Sequence, residues 1–180
     1  MDINNLMSAL DNEKNESIMN LTTAKIQEII FKILKELHLD RETFINYFKK
    51  LKGYKYVDEI NELKHGGFIR WIPITDPNNL PLNNCGIICD IAIKDKGVYI
   101  VCKNFMHRQY SFKMDECLIF QKLTSQELII LSALDHLDKT KNDESESEEY
   151  ESEESETESD EDDKKKYKKT SKKGTAKNHI

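Results

Sequence analysis

GGFIRWIPI (66–74), GIICDIAIKDKGVYIVCKNF (86–105) and RQYSFKMDECLIFQKL (108–123) are the segments whose reading decides the fold. The stretch from Gly67 to Leu123 holds the only tryptophan, all four cysteines and all three prolines. Its β-branched and aromatic residues alternate over short runs, the period of a strand. Ile87, Cys89, Ile91 and Ile93 share one face, Lys94-Asp95-Lys96-Gly97 turns the chain, and Val98, Ile100 and Cys102 resume the alternation. The glycine stands last, where a positive φ is wanted. Pairing Ile93 with Val98 sets Cys89 opposite Cys102.

Working outward, Phe68–Ile74 presents Ile69, Trp71 and Pro73 on one side and Phe68, Arg70, Ile72 and Ile74 on the other. Both sides are largely apolar, so this strand is expected to be covered on both faces, by the N-terminal helices on the second. Residues 75–85 (TDPNNLPLNNC) form a turn-rich loop of the length that often carries binding. Residues 104–107 turn the chain again. Tyr110, Phe112 and Met114 then make the inner face of a fourth strand. A tight turn or single 3₁₀ turn at 114–116 leads to a fifth, whose inner face is either Leu118 and Phe120 or Cys117 and Ile119.

Helices flank this core in sequence. Ile26, Ile29, Ile30, Ile33, Leu34 and Leu37 keep one-face helical spacing over 23–38, with Thr22 or Thr23 as the cap. Asp40 caps a second helix over 41–51, with Phe44, Tyr47, Phe48 and Leu51 as its apolar face and Gly53 to end it, so the two form a hairpin. Residues 54–66 are ambiguous; Tyr56, Val57, Ile60 and Leu63 fit a short helix broken at Gly66 and Gly67. Thr124-Ser-Gln-Glu127 is a capping box that starts a helix to about Lys139, striped by Leu128, Leu131, Leu134 and Leu137. Residues 1–20 read as a flexible N-terminus, although Ile3, Leu6, Met7 and Leu10 fall at helical spacing.

Charge divides by region. Of 33 acidic groups, 14 lie in 143–163; of 27 basic groups, 8 lie in 164–180. Nineteen of each remain in residues 1–142, so the net −6 belongs to the tail. Residues 141–180 are expected to be a disordered acidic, then lysine-rich tail, because they cannot bury enough apolar surface. Ser145, Ser155, Thr157 and Ser159 each precede an acid by three residues, the pattern of an acidophilic kinase site. With no signal peptide and no membrane-length apolar run, the expectation is an intracellular protein with reduced thiols and no membrane partner.

Catalytic signals are sparse. No Ser elbow, Walker loop, dinucleotide fingerprint or HExxH is present. Cys85 and Cys89 along a strand would stand about 13 Å apart, against about 2.3 Å for each zinc–sulfur bond. No metal or cofactor is expected. Arg70 and Asp90, each the lone charge on an apolar strand face, are candidates for an internal ion pair. Trp71, Tyr99 and Phe105 are candidates for partner binding. Lys103, His107, Arg108 and Lys113, interleaved with aromatics, are candidates for nucleic-acid binding. The same pattern also describes a solvated face over core aromatics, and the domain has no net positive charge.

The segments YVDEINELKHGGFIRWIPI, GIICDIAIKDKGVYIVCKNF and KMDECLIFQKLTSQE together resemble an uncharacterised family of giant (nucleocytoplasmic large DNA) viruses over about residues 54–135. The resemblance implies a viral protein made in a host cell, in cytoplasm or nucleus, and carried in the virion; it implies no activity. The expected architecture is α+β. A small five-stranded SH3-like or Tudor-like β-barrel spans 67–140 with its C-terminal helix, and a helical segment over 21–66 packs on it. The expected function is non-enzymatic binding of a protein or peptide partner near Trp71 and the 75–85 loop. Nucleic-acid binding is the alternative and an enzyme of unknown class the third reading.

Overall fold

The computed structural model describes residues 3–83 and 86–153, with backbone alone for 141–153. The chain divides into two units, Met1–Lys141 and Asn142–Ile180. Four α-helices are described: α1 Ile3–Leu10, α2 Thr23–Glu36, α3 Arg41–Lys50 and α4 Ser125–Glu153. Six strands are described: β1 Tyr54–Val57, β2 Phe68–Pro73, β3 Gly86–Lys94, β4 Gly97–Lys103, β5 Gln109–Lys113 and β6 Cys117–Lys122. They form one antiparallel sheet in the order β1-β6-β2-β3-β4-β5. The class is α+β.

The sheet is open, which corrects the expected closed barrel. Among the described residues β1 and β5 are its two edges, each paired on one side only. Strands β2 and β6 pair over five positions, but β2 and β3 pair over two, Phe68 with Ile87 and Ile69 with Gly86. Beyond that seam the strands separate and the sheet curls. Trp71 of β2 stacks on Phe112 of β5, ring centroids 4.6 Å apart, although β3 and β4 lie between them in the sheet. Three strand spacings in a flat sheet would put those strands about 14 Å apart. Side chains, rather than a backbone ladder, fill the gap across the curl.

The strand count also differs from expectation. Tyr54–Val57 is β1, paired with Lys122 back to Ile119, and a 3₁₀ turn at Ile60–Glu62 follows it in place of a longer helix. Alternation then builds two cores, one on each face of the sheet. Ile69, Trp71, Ile88, Ile100, Cys102 and Ile119 fill the inside of the curl. Ile72 and Phe120 point the other way, against Ile26, Ile30 and Leu34 of α2 and Ile130 and Leu131 of α4. Strand β2 is thus covered on both faces. Strand β6 resolves its two candidate faces: Cys117 and Ile119 line the curl, and Leu118 and Phe120 face the helices.

The β3–β4 hairpin closes as read, with Ile93 opposite Val98 and Gly97 at φ +122°. Its far end does not. A β-bulge between Ile88 and Asp90 shifts the register, so Cys102 pairs with Ile88, and Cys89 is extruded and exposed. An extra residue on one strand reverses every later side chain relative to a strict alternation. Ile88 consequently takes the place expected for Ile87 inside the curl, on the same face as Ile91, while Ile93, next to the hairpin tip, is 78% exposed. The expected Arg70–Asp90 ion pair is not formed. Arg70 lies over the Tyr54 ring, 5.6 Å from its centroid, while exposed Asp90 accepts the backbone N–H of its neighbour Ile91.

Helix caps follow the sequence. Thr22 accepts from Lys25 N and Asp40 from Thr43 N. His38, at φ 50°, turns the chain out of α2. The segment expected to be a flexible N-terminus is built into the domain: α1 and a 3₁₀ turn at Glu13–Ile18 place Ala9, Asn15 and Ile18 in the interior. Helix α4 continues beyond Lys139 to Glu153, into the acidic run expected to be disordered. Among the described residues no helix is long and apolar enough to cross a membrane.

Candidate functional site

The mouth of the curl is a cleft of about 330 Å³. Trp71, Tyr110 and Phe112 form its aromatic wall, and Asn83, Gly86, Asn104 and Ser111 complete it. Each part has a local cause. Alternation along β2 turns Trp71 inward beside Ile69. The end of the 75–85 loop is tied to that strand, since Asn83 N donates to Trp71 O at 2.9 Å. The same loop is anchored further back by Tyr47, whose hydroxyl donates to Leu80 O and accepts from Leu82 N, both at 3.0 Å. Gly86 packs closely here: a Cβ would stand 3.1 Å from Cys102 Sγ, which would have to give by a few tenths of an ångström.

The wall is graded in exposure. Trp71 is 8% exposed and forms the floor; Tyr110, 6.4 Å from it, is 41% exposed and forms the lip. Among the described residues the lining carries no formal charge. Its polar side-chain groups are two carboxamides, a serine, a phenol and the Trp71 indole N–H, so the cleft offers an apolar surface beside neutral donors and acceptors.

One edge of the cleft is a turn closed by two backbone bonds, Asn104 N to Arg108 O and His107 N to Asn104 O, and by the Asn104 side chain. Asn104 Oδ1 accepts from Met106 N at 3.0 Å and Arg108 N at 2.9 Å, and its Nδ2 donates to the Tyr110 hydroxyl at 3.2 Å. His107 takes a left-handed conformation at φ 60° to complete the turn. At the tip Phe105 and Met106 are each 74% exposed. Phe105 stacks on Phe68 of β2 at 6.0 Å, and Lys122 Nζ lies 5.8 Å from the centroid of the Phe68 ring.

The residues singled out in the sequence do not form one site. Trp71 lines the cleft. Lys103, Phe105, His107 and Arg108 surround the adjoining turn. Tyr99 and Lys113 pair with each other at the opposite end of β4, where Lys94 Nζ lies 5.0 Å from the Tyr99 ring centroid. Lys113 is further removed from the cationic group by its own ion pairs, to Asp115 at 2.8 Å and Glu116 at 3.6 Å. The Asp115 hydrogen bond holds the Lys113 ammonium above its ordinary range. Ser145 falls within α4 with its side chain outside the described residues. Ser155, Thr157 and Ser159 lie outside them entirely, as does Cys85. Sequence reading missed Asn83 and Asn104, the two amides that frame the cleft; an asparagine opening a short turn was the available signal.

The most deeply buried charges are elsewhere. Glu127, the capping-box glutamate of α4, has a 1% exposed side chain and meets Lys64 Nζ at 2.8 Å and Lys55 Nζ at 3.2 Å. It also accepts from Thr124 N at 2.7 Å. Burial pushes its carboxyl up, but the Lys64 and Thr124 hydrogen bonds and the two ammonium charges outweigh that and hold it below the ordinary range. Lys55 donates to Ser17 Oγ and Lys64 to Asn15 Oδ1. Every member has partners, and the cluster joins the N-terminal segment, β1, the loop before β2 and α4. It is a structural tie, closed to substrate.

A broader apolar groove of about 500 Å³ runs between α2, the end of α3 and the start of α4, past Ile26, Phe48, Leu51 and Leu128. Comparison with protein-family models, with curated proteins and with solved structures finds no match to this chain.

Proposed function

We propose that this protein is a non-catalytic interaction module, and that the cleft at Trp71 binds an extended peptide segment. The observation that carries the reading is the Trp71–Phe112 stack opening onto a neutral rim of Asn83, Asn104, Ser111 and Tyr110. Amides and hydroxyls without charge complement the N–H and C=O groups of a peptide, while the rings take one of its apolar side chains. A phosphate or carboxylate ligand would find no cation among the described lining residues. Among the described residues the only ionisable side chain there is the Tyr110 phenol, already engaged by Asn104, which supports binding rather than acid–base chemistry.

An SH3-like reading of five of the strands belongs to this proposal. Its support is the meander β2-β3-β4-β5 and the return of β6 beside β2 after a 3₁₀ turn at Met114–Glu116, with β1 added outside. The viral origin implied by the resemblance over 54–135 stays with the proposal and adds no chemistry to it.

The test uses the only tryptophan as a probe. Peptides selected from a random library on the full chain should shift Trp71 fluorescence on titration. Their amide chemical-shift changes should centre on residues 71, 83, 104 and 110–112. Tyr110→Ala, at the exposed lip, should abolish the response with the circular dichroism spectrum unchanged. Selected peptides that bind the variant as tightly as the parent, or that perturb a different region, overturn the reading.

A further inference from the structure

The turn beyond the cleft carries a separate inference. Two large apolar side chains, Phe105 and Met106, stand 74% exposed at its tip. The exposure is not the slack of a loose loop, because the Asn104 side chain and the His107 backbone fix the turn. One face of Phe105 is backed by Phe68, which is in turn flanked by Lys122. The ring therefore offers one supported, open face.

The turn's own charge has one sign. From Val98 to Phe112 the chain contains Lys103, His107 and Arg108 and no acid. Sheet register places Phe68, Ile87 and Lys103 in one row across β2, β3 and β4, hence on one face, and Lys122 of β6 reaches the Phe68 ring in that row. Arg108 closes the turn beside that row, where Asn104 N donates to its carbonyl at 3.0 Å. An open aromatic face with cations on both sides fits a ligand that alternates flat rings with anions.

We propose that Phe105 is a stacking platform for single-stranded nucleic acid, with Lys103, Arg108 and Lys122 meeting the phosphates on either side of the stacked base. Every base has a π-face, so the site discriminates single strand from duplex rather than one sequence from another. An anionic membrane is the competing partner for an apolar tip with basic flanks. The backing of Phe105 by a second ring favours the base, since a side chain that inserts among lipid tails needs no support for one face. This site stands independently of the peptide cleft.

The full chain is titrated by fluorescence anisotropy with a labelled oligothymidylate, its duplex, and vesicles containing phosphatidylserine. Phe105→Ala should weaken oligothymidylate binding by about 5- to 150-fold, the range for one stacked base. It should leave the slope of log K against log salt unchanged, because no charge is lost. Lys103→Glu with Arg108→Glu should reduce the magnitude of that slope by about 1.4, two phosphate contacts on a single strand. Duplex binding should be indifferent to Phe105→Ala. Both variants leave the cleft lining intact, so peptide binding at Trp71 persists and failure of one reading is separable from failure of the other. Any of three results overturns the proposal: no binding at low salt, unchanged affinity in Phe105→Ala (which assigns binding to the tail lysines), or capture by vesicles with none by the oligonucleotide.

Discussion

Replacing Glu127 by glutamine keeps the shape of the side chain and removes its charge. Lys55, whose side chain is 4% exposed, and Lys64, at 17%, would then face each other without a counter-charge. Removing one partner of a buried ion pair costs about 3–5 kcal/mol, chiefly because the remaining charge stays desolvated. At a urea m-value of about 2 kcal/mol per molar, the unfolding midpoint followed by Trp71 fluorescence falls by about 2 M. Lys55→Met added to Glu127→Gln removes one stranded ammonium and should recover part of the loss. The pH dependence has a definite sign. The folded carboxyl titrates below its ordinary value of 4.5, so its contribution is complete above that pH and fades as the pH falls through the folded value. The gap between parent and Glu127→Gln should therefore hold from pH 7 to about 4.5 and narrow only as the pH falls below that, through the folded value. A midpoint shift below about 0.5 M at neutral pH, or a gap that stays constant with pH, would refute the assignment of this cluster as the tie between the N-terminal segment and α4.

Three further outcomes are expected. Burial, aided by the charge of Glu116, pushes the Cys117 thiol up to about 11, so at pH 8 about one molecule in a thousand carries the thiolate. A short iodoacetamide pulse with peptide mapping should label exposed Cys89 well before Cys117; equal labelling contradicts the burial of β6. Gly97→Ala forces a side chain into φ +122° and to 2.8 Å from Lys113 Cε, which should cost about 1–3 kcal/mol and lower the thermal midpoint by several degrees; an unchanged midpoint would rule out the hairpin geometry. Asn104→Ala should leave global stability within about 1 kcal/mol, since water replaces its bonds at an exposed turn, yet speed hydrogen exchange at 105–108. Unaltered exchange there would show that Asn104 does not hold the turn.

Much of the fold is legible because it is written in periodicity and caps. Thr22, Asp40 and the Thr124–Glu127 box mark helix starts to within a residue, and Gly97 marks the hairpin tip. The bulge at Cys89 is not legible, because Cys, Asp and Ile leave an alternating pattern readable in either register. Strand β1 was hidden by its length: four residues, YKYV, carry no period, and their pairing partner lies more than sixty positions later. The N-terminal segment reads as polar because its anchor, Asn15, is itself polar and is held by Ala9 O, Gln126 and Lys64. At the cleft, Trp71 stood out by composition. Its companions Tyr110 and Phe112 were readable as one strand face but not as neighbours of Trp71, since the curl that joins them depends on where β2 and β3 part.

The tie around Glu127 has a consequence for the order in which the protein is made. Asn12 and Asn15 bond to Gln126, Thr23 N to Asp135, and Lys55 and Lys64 to Glu127. Residues early in the domain are thus held by some of the last of the domain to emerge. Strands β2 to β5 can assemble while synthesis continues, but the amino-terminal turns must wait, with Ala9 and Ile18 in water, until more than a hundred further residues have been added. A stalled or truncated product ending before α4 would carry those apolar groups uncovered, which makes such fragments the natural clients of chaperones and proteases.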